Sequence, residues 1–251
     1  MTGTINYNNF GSKMKIIAYR NCEDIDIYFE EYNYIAKHKR YDVFKNGEIT
    51  CPYEPRVLGV GYIGEGKYSK KNDELAYRKW YQMLKRCYDE KYQNKKPTYK
   101  GCFVCKEWHN FQNFAEWFYK NYYKITGEIM CLDKDILIKG NKIYSPKTCC
   151  IVPNTINCLF TKCDKNRGSL PIGVTFCEER NKYVATCSVF DFSIRKKKNR
   201  QIGYFNTLSE AFLAYKNKKE FEIKKHAEYY KEHIPYDVYV ALYNYQVEIN
   251  D

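Results

Sequence analysis

Residues 172–230 confine the fold more tightly than any other part of the chain. Three short segments, IGVTFC, KYVATCSVF and RQIGYF, alternate apolar with polar residues. EERN joins the first two and DFSIRKKKN the last two. One long run with helical spacing follows, NTLSEAFLAYKNKKEFEIKKHAEYYKEH. A period of two giving way to a period of 3.6 within about 60 residues predicts an antiparallel sheet with one helix packed on it. Thr207 and Glu210 make a capping box at the start of that helix. Leu208, Ala211, Phe212 and Tyr215 form its apolar stripe, Pro235 stops it, and YDVYVALYNYQVEI adds a last short helix. Alternation turns Val174, Phe176, Tyr183, Ala185, Cys187 and Val189 toward the helix. It turns Thr175, Cys177, Val184, Thr186 and Ser188 away.

The outward face is small and polar, and the loop beside it carries Arg195, Lys196, Lys197, Lys198 and Arg200. The whole chain of 251 residues has a net charge of +12. Such an excess attracts polyanions, with nucleic acid the first candidate. No apolar run is long enough for a membrane span, and the opening MTGTINYNNFGSKMK is too polar for a secretory signal. A cytoplasmic protein is therefore expected, and its 12 cysteines are expected as reduced, packed thiols. Cys102-x-x-Cys105 and the adjacent Cys149-Cys150 lack the paired spacing of a four-ligand site, so zinc is not expected.

The remaining chain reads in two parts. Residues 1–66 are β-rich, with KIIAYRN, DIDIYFEEY and YDVF as candidate strands of a small sheet or barrel. The loop that follows holds Gly59-x-Gly61-x-x-Gly64. It has prolines before it and a polar stretch after it, which is the wrong setting for a dinucleotide fingerprint. Helices are predicted over 73–92, with Tyr77, Trp80, Leu84, Cys87 and Tyr88 on one face, and over 107–123, with Trp108, Phe111, Phe114, Ala115, Phe118 and Tyr122. TKCDKNRGSL at 161–170 has linker composition.

The stretch GVTFCEERNKYVATCSVF…RQIGYFNTLSEAFLAY resembles the APETALA2 (ethylene-response-factor) DNA-binding domain. The match rests on Gly173-Val174, Lys182 to Ala185, Ile202 to Phe205, and Thr207 through Glu210-Ala211 to Ala214-Tyr215. The resemblance implies a three-stranded sheet laid in the major groove. Its contact positions fall on Thr175, Cys177, Thr186, Ser188, Asn199 and Gln201, with Lys182 beside them. The family usually has arginine and tryptophan there, where this chain has short polar residues.

KWYQMLKRCYDEKYQNKKPTY…CKEWHNFQNFAEW…LDKDI…GNKIYSPKTCCIVP resembles the phage-encoded, homing-endonuclease-like branch of the HNH endonucleases over roughly residues 75–158. That family holds one divalent metal and activates water with a histidine. The resemblance places Asp133 as metal ligand, Thr148 at or near the second ligand, and Asn141 as the loop asparagine. Lys134 stands where the family has its histidine, and a lysine is a poor general base at neutral pH. Three readings follow. Catalysis persists with Mg²⁺ or Mn²⁺, His109 or Asp135 serving as base. The site is retired and the domain only binds DNA. Or the loop is structural, with Asp133 capping a turn.

The fold class expected is α+β in three modules: a small β domain at 1–66, an HNH-like ββα-metal domain with flanking helices at 67–165, and an APETALA2-like domain at 166–251. The expected function is a phage or prophage endonuclease or nickase acting on double-stranded DNA in the bacterial cytoplasm. The competing class is an inactive DNA-binding regulator or an inhibitor of a host nucleic-acid system, with a host protein as a further partner. A third class is a protein-binding inhibitor that merely carries lysines.

Overall fold

The computed structural model describes residues 1–160 and 170–249. Of the predicted linker at 161–170, all but the last residue lies outside the described residues. The chain is α+β and divides into two compact units. Met1–Tyr122 with Asn141–Thr148 form one, and Tyr123–Gly140 with Cys149–Asp251 form the other.

The first unit opens with four strands, β1 (Ile5–Tyr7), β2 (Lys13–Asn21), β3 (Asp24–Phe29) and β4 (Tyr34–Lys39). They pair antiparallel in sequence order. Alternation explains the buried face: Met14 and Ile16 are fully buried while Lys13 and Lys15 are exposed. Ile25, Ile27, Phe29, Ala36 and Phe44 complete that core. YDVF was expected as a strand, but Tyr41–Lys45 is a short helix, α1. Tyr41 and Phe44 lie one helical turn apart with rings stacked at 6.0 Å, a contact that a strand would not allow.

The helix predicted over 73–92 breaks in two, α2 (Glu74–Tyr88) and α3 (Glu90–Lys95). Asp89 is extended at the break, and its carboxylate caps α3 by accepting from the Tyr92 amide at 2.9 Å. The aromatic helix begins later than predicted, as α4 (Phe111–Asn121), after a 3₁₀ turn at Lys106–His109. Trp80 and Trp108 are fully buried, and the Trp80 indole donates to the Trp108 carbonyl at 2.7 Å. A Cβ on Gly61 would run into Leu84 and Trp80. The glycine loop thus lies flat on α2, which accounts for Gly61 by packing. Two further pairs are short. Strand β5 (Phe103–Val104) runs parallel to Ile143–Tyr144 in the first unit. In the second unit β6 (Met130–Asp133) runs antiparallel to Cys150–Pro153. We number Ile143–Tyr144 β7 and Cys150–Pro153 β8.

The second unit continues with α5 (Asn154–Asn157), β9 (Val174–Cys177), β10 (Lys182–Asp191), β11 (Lys196–Phe205), α6 (Leu208–Tyr230) and α7 (Tyr236–Tyr243). The sheet is antiparallel in the order β11-β10-β9, and α6 packs mostly on β10. Ala185, Cys187, Ala211, Tyr215, Ile223, Ala227 and Tyr230 are buried between sheet and helix. Ile136, Val152 and Ile156 join the same core. Residues before 165 therefore share a hydrophobic core with residues after 166, and the unit boundary falls elsewhere than that division. The capping box is present: Thr207 Oγ1 accepts from the Glu210 amide at 3.2 Å and the Glu210 carboxylate accepts from the Thr207 amide at 3.1 Å. Phe176 is expected inside but is 44% exposed: it lies on the edge strand β9, its ring set edge-to-face with Tyr183 at 5.1 Å. No helix among the described residues is long and apolar enough to cross a membrane.

Candidate nucleic-acid interface

Strand register decides which side chains share a face, because directly opposed residues of an antiparallel pair project together. Lys182 opposes Cys177 and Val184 opposes Thr175 on one side of β10. On the other side Val184 opposes Tyr204, Thr186 opposes Gln201 and Ser188 opposes Asn199. Lys182, Val184, Thr186 and Ser188 are alternate residues of one strand. Thr175, Cys177, Lys182, Thr186, Ser188, Asn199 and Gln201 therefore stand on one face, opposite buried Ala185 and Cys187. The Ser188 hydroxyl and the Asn199 amide oxygen meet at 2.5 Å, so this pair is joined across the ribbon.

A bulge makes this register. The pairing slips between Ala185 and Thr186, leaving Ile202 as the additional residue of β11. Without the slip, Gln201 and Asn199 would project to the helix side.

The basic segment was expected as a loop, yet Lys196, Lys197, Lys198, Asn199 and Arg200 are strand residues paired with Asp191 back to Cys187. Only a four-residue turn, 192–195, joins β10 to β11. The cations are all exposed along an edge strand, Lys197 on the face of Ser188 and Asn199, and Lys196, Lys198 and Arg200 on the other, opposite Asp191, Val189 and Cys187. That strand gives them a regular pitch, and lysines on an edge also resist pairing with a second sheet. Arg195 is the exception. Its guanidinium donates to the Gly127 carbonyl at 3.0 Å and to the Glu128 carboxylate at 2.6 Å.

Two residues escaped the sequence reading. Tyr204 stands in a row with Val184 and Thr175, and the Arg180 guanidinium lies 4.4 Å from its ring centre. Alternation counted back from Phe205 places Tyr204 outward, and this was the available signal. Arg180 comes from the Glu178–Arg180 turn and carried no signal.

The nuclease-like residues divide between the two units. Asp133 and Lys134 belong to the second, and His109, Asn141 and Thr148 to the first. Asp133 Oδ1 accepts from the amides of Asp135 and Ile136 at 2.7 and 2.8 Å. It caps the turn after β6, and burial raises its pKa. The Lys134 ammonium is buried and paired with Asp135. Asn141 bonds both backbone groups of Ile143, accepting at 3.1 Å and donating at 2.7 Å. Thr148 donates to the Ile143 carbonyl at 2.7 Å and meets Ser145 Oγ at 2.9 Å. His109 Nε2 lies 3.4 Å from the Tyr88 hydroxyl, and burial lowers the imidazole pKa. Asp133, Asn141 and Thr148 each bond backbone groups of their own turn.

Among the described residues one group of three or more His, Cys, Asp or Glu side chains is close enough to share an ion: Asp24, Asp26 and His38. Arg20 already holds it, bonding Asp26 at 2.7 and 3.1 Å and Asp24 at 2.9 Å. Those bonds keep the Asp26 carboxyl far below the usual carboxylate range. The cluster reads as an ion-pair network around the β2–β3 hairpin. Comparison with known protein families, curated proteins and solved structures finds no match.

Proposed function

We propose that this protein binds double-stranded DNA through the face of β9–β11 and leaves the duplex uncut. The observation carrying this reading is the register that sets Thr175, Thr186, Ser188, Asn199 and Gln201 on one face. Short hydroxyl and amide side chains there suit hydrogen bonding to base edges, Lys182 and Lys197 on the same face suit the flanking phosphates, and Lys196, Lys198 and Arg200 line the edge strand beside it. The nuclease-like loop supports the non-cutting half of the reading. Its donors are engaged in turns, and the lysine in the histidine's place is ion-paired. Bound this way, the protein acts by occupying a duplex, as a regulator does.

The test is fluorescence anisotropy with a labelled duplex at several salt concentrations. Wild-type affinity should fall steeply with salt, and Lys196→Glu/Lys197→Glu/Lys198→Glu should weaken binding on any sequence. The slope of log affinity against log salt should fall by at least about one, the share of Lys197 on the binding face. An affinity indifferent to salt and to these three changes ends the proposal.

A further inference from the structure

Arg195 sits among the cations of the ribbon, but its geometry sets it apart. It occupies the β10–β11 turn with φ +51°, a left-handed conformation that residues other than glycine seldom adopt. Its guanidinium reaches away from β11 to Glu128, which lies far back in sequence, just before β6. The Glu128 side chain is only 4% exposed. Its Oε1 also accepts from the Tyr230 hydroxyl of α6 at 2.5 Å, and its Oε2 from Thr155 of α5 at 3.0 Å. The carboxylate is thus fixed by two elements of the core, and Arg195 reaches it from the ribbon.

We infer that Arg195 is a positioning residue: by gripping Glu128 it holds the β10–β11 ribbon in its DNA-binding shape, and it does not itself contact phosphate. The inference rests on the proposed DNA-binding reading and names what keeps that surface in order. The turn rests on α6 through Phe192, stacked 3.9 Å from the Tyr229 ring, and a two-stranded ribbon is marginal alone, so Arg195 adds a second tie at the same end. The pair borders an open cavity of about 520 Å³, where water screens the attraction. Its effect is therefore geometric first.

Glu128→Gln separates this role from electrostatics. Removing a negative charge near a DNA-binding surface should tighten binding if charge alone matters. The latch predicts the reverse, about fivefold weaker binding, the order expected for losing one partly exposed charge-assisted bond. Arg195→Ala should give a similar loss with the salt slope unchanged, because no phosphate contact disappears. Hydrogen exchange on the full chain without DNA supplies the second readout. Amides of 186–200 should exchange faster in both variants, while those of α6 hold. Binding of Glu128→Gln at or above wild-type strength, a salt slope about one unit lower in Arg195→Ala, or unaltered exchange in the ribbon would each overturn the latch. If wild type fails to bind duplex DNA at all, the proposed function falls, and the exchange measurement still decides the latch.

Discussion

Lys134 sets its ammonium 2.7 and 2.8 Å from the two carboxylate oxygens of Asp135. In a nuclease loop the residue after the metal aspartate must take a proton from water. The Lys134 ammonium is buried and neutralised by its neighbour, and so is no base. Asp135→Asn should destabilise the second unit by about 1–2 kcal/mol, since it removes an ion pair from a buried lysine while Asp135 itself is partly exposed. Thermal unfolding should register a midpoint lower by a few degrees.

Cleavage offers a separate check. Supercoiled plasmid incubated with the protein and Mg²⁺ or Mn²⁺ should stay supercoiled, and Asp133→Ala should behave alike while still shifting a duplex in a gel. Metal-dependent nicks that vanish in Asp133→Ala would restore the enzymatic reading.

Sequence preference should reside in Asn199 and Gln201. Each amide can meet a base edge with two hydrogen bonds, a contact worth about 1–3 kcal/mol of discrimination. Duplexes selected from a randomised pool by Asn199→Ala or Gln201→Ala should show a flattened motif, with the salt slope of the wild type.

Stability should fall in mild acid, and His226 is one cause. It is buried in α6, with Nδ1 against the Glu222 carbonyl at 2.7 Å and Nε2 buried without a hydrogen-bond partner. Burial lowers its pKa in the folded state. The unfolded chain accepts a proton near pH 6.5 and the folded one refuses it until lower pH. The stability is therefore whole above about pH 6.5 and is lost as pH drops toward the folded value. His109 shifts the same way in the first unit. Urea midpoints between pH 7.5 and 5 should decline, and His226→Leu should make the decline shallower.

Gly173 provides a packing test at the entrance to β9. Its φ is +78°, and a Cβ there would overlap the Tyr215 ring. Gly173→Ala should lower stability by about 1–3 kcal/mol, read as a lower urea midpoint.

Local physics made much of this chain legible. Alternation marked three C-terminal strands and their buried residues Ala185 and Cys187. The Thr207–Glu210 box marked the start of α6, and helical spacing marked the cores of α2 and α4. These signals work because they depend on neighbours one to four residues away. The structure departs from the local signals at Asp89, whose carboxylate starts a new helix, and at YDVF, which coils with Tyr41 stacked on Phe44.

Only the tertiary structure decided the rest. Whether Lys196–Arg200 is loop or strand depends on β10 lying alongside, and their composition alone reads as solvated turn. The bulge at Ile202 sets which side chains face out, and a one-residue slip leaves no mark in an exposed polar stretch. Arg195 has the composition of a phosphate-binding cation, and only the fold brings Glu128 to it. Long-range pairing of this kind is invisible in sequence because nothing in either residue's own neighbourhood requires the other.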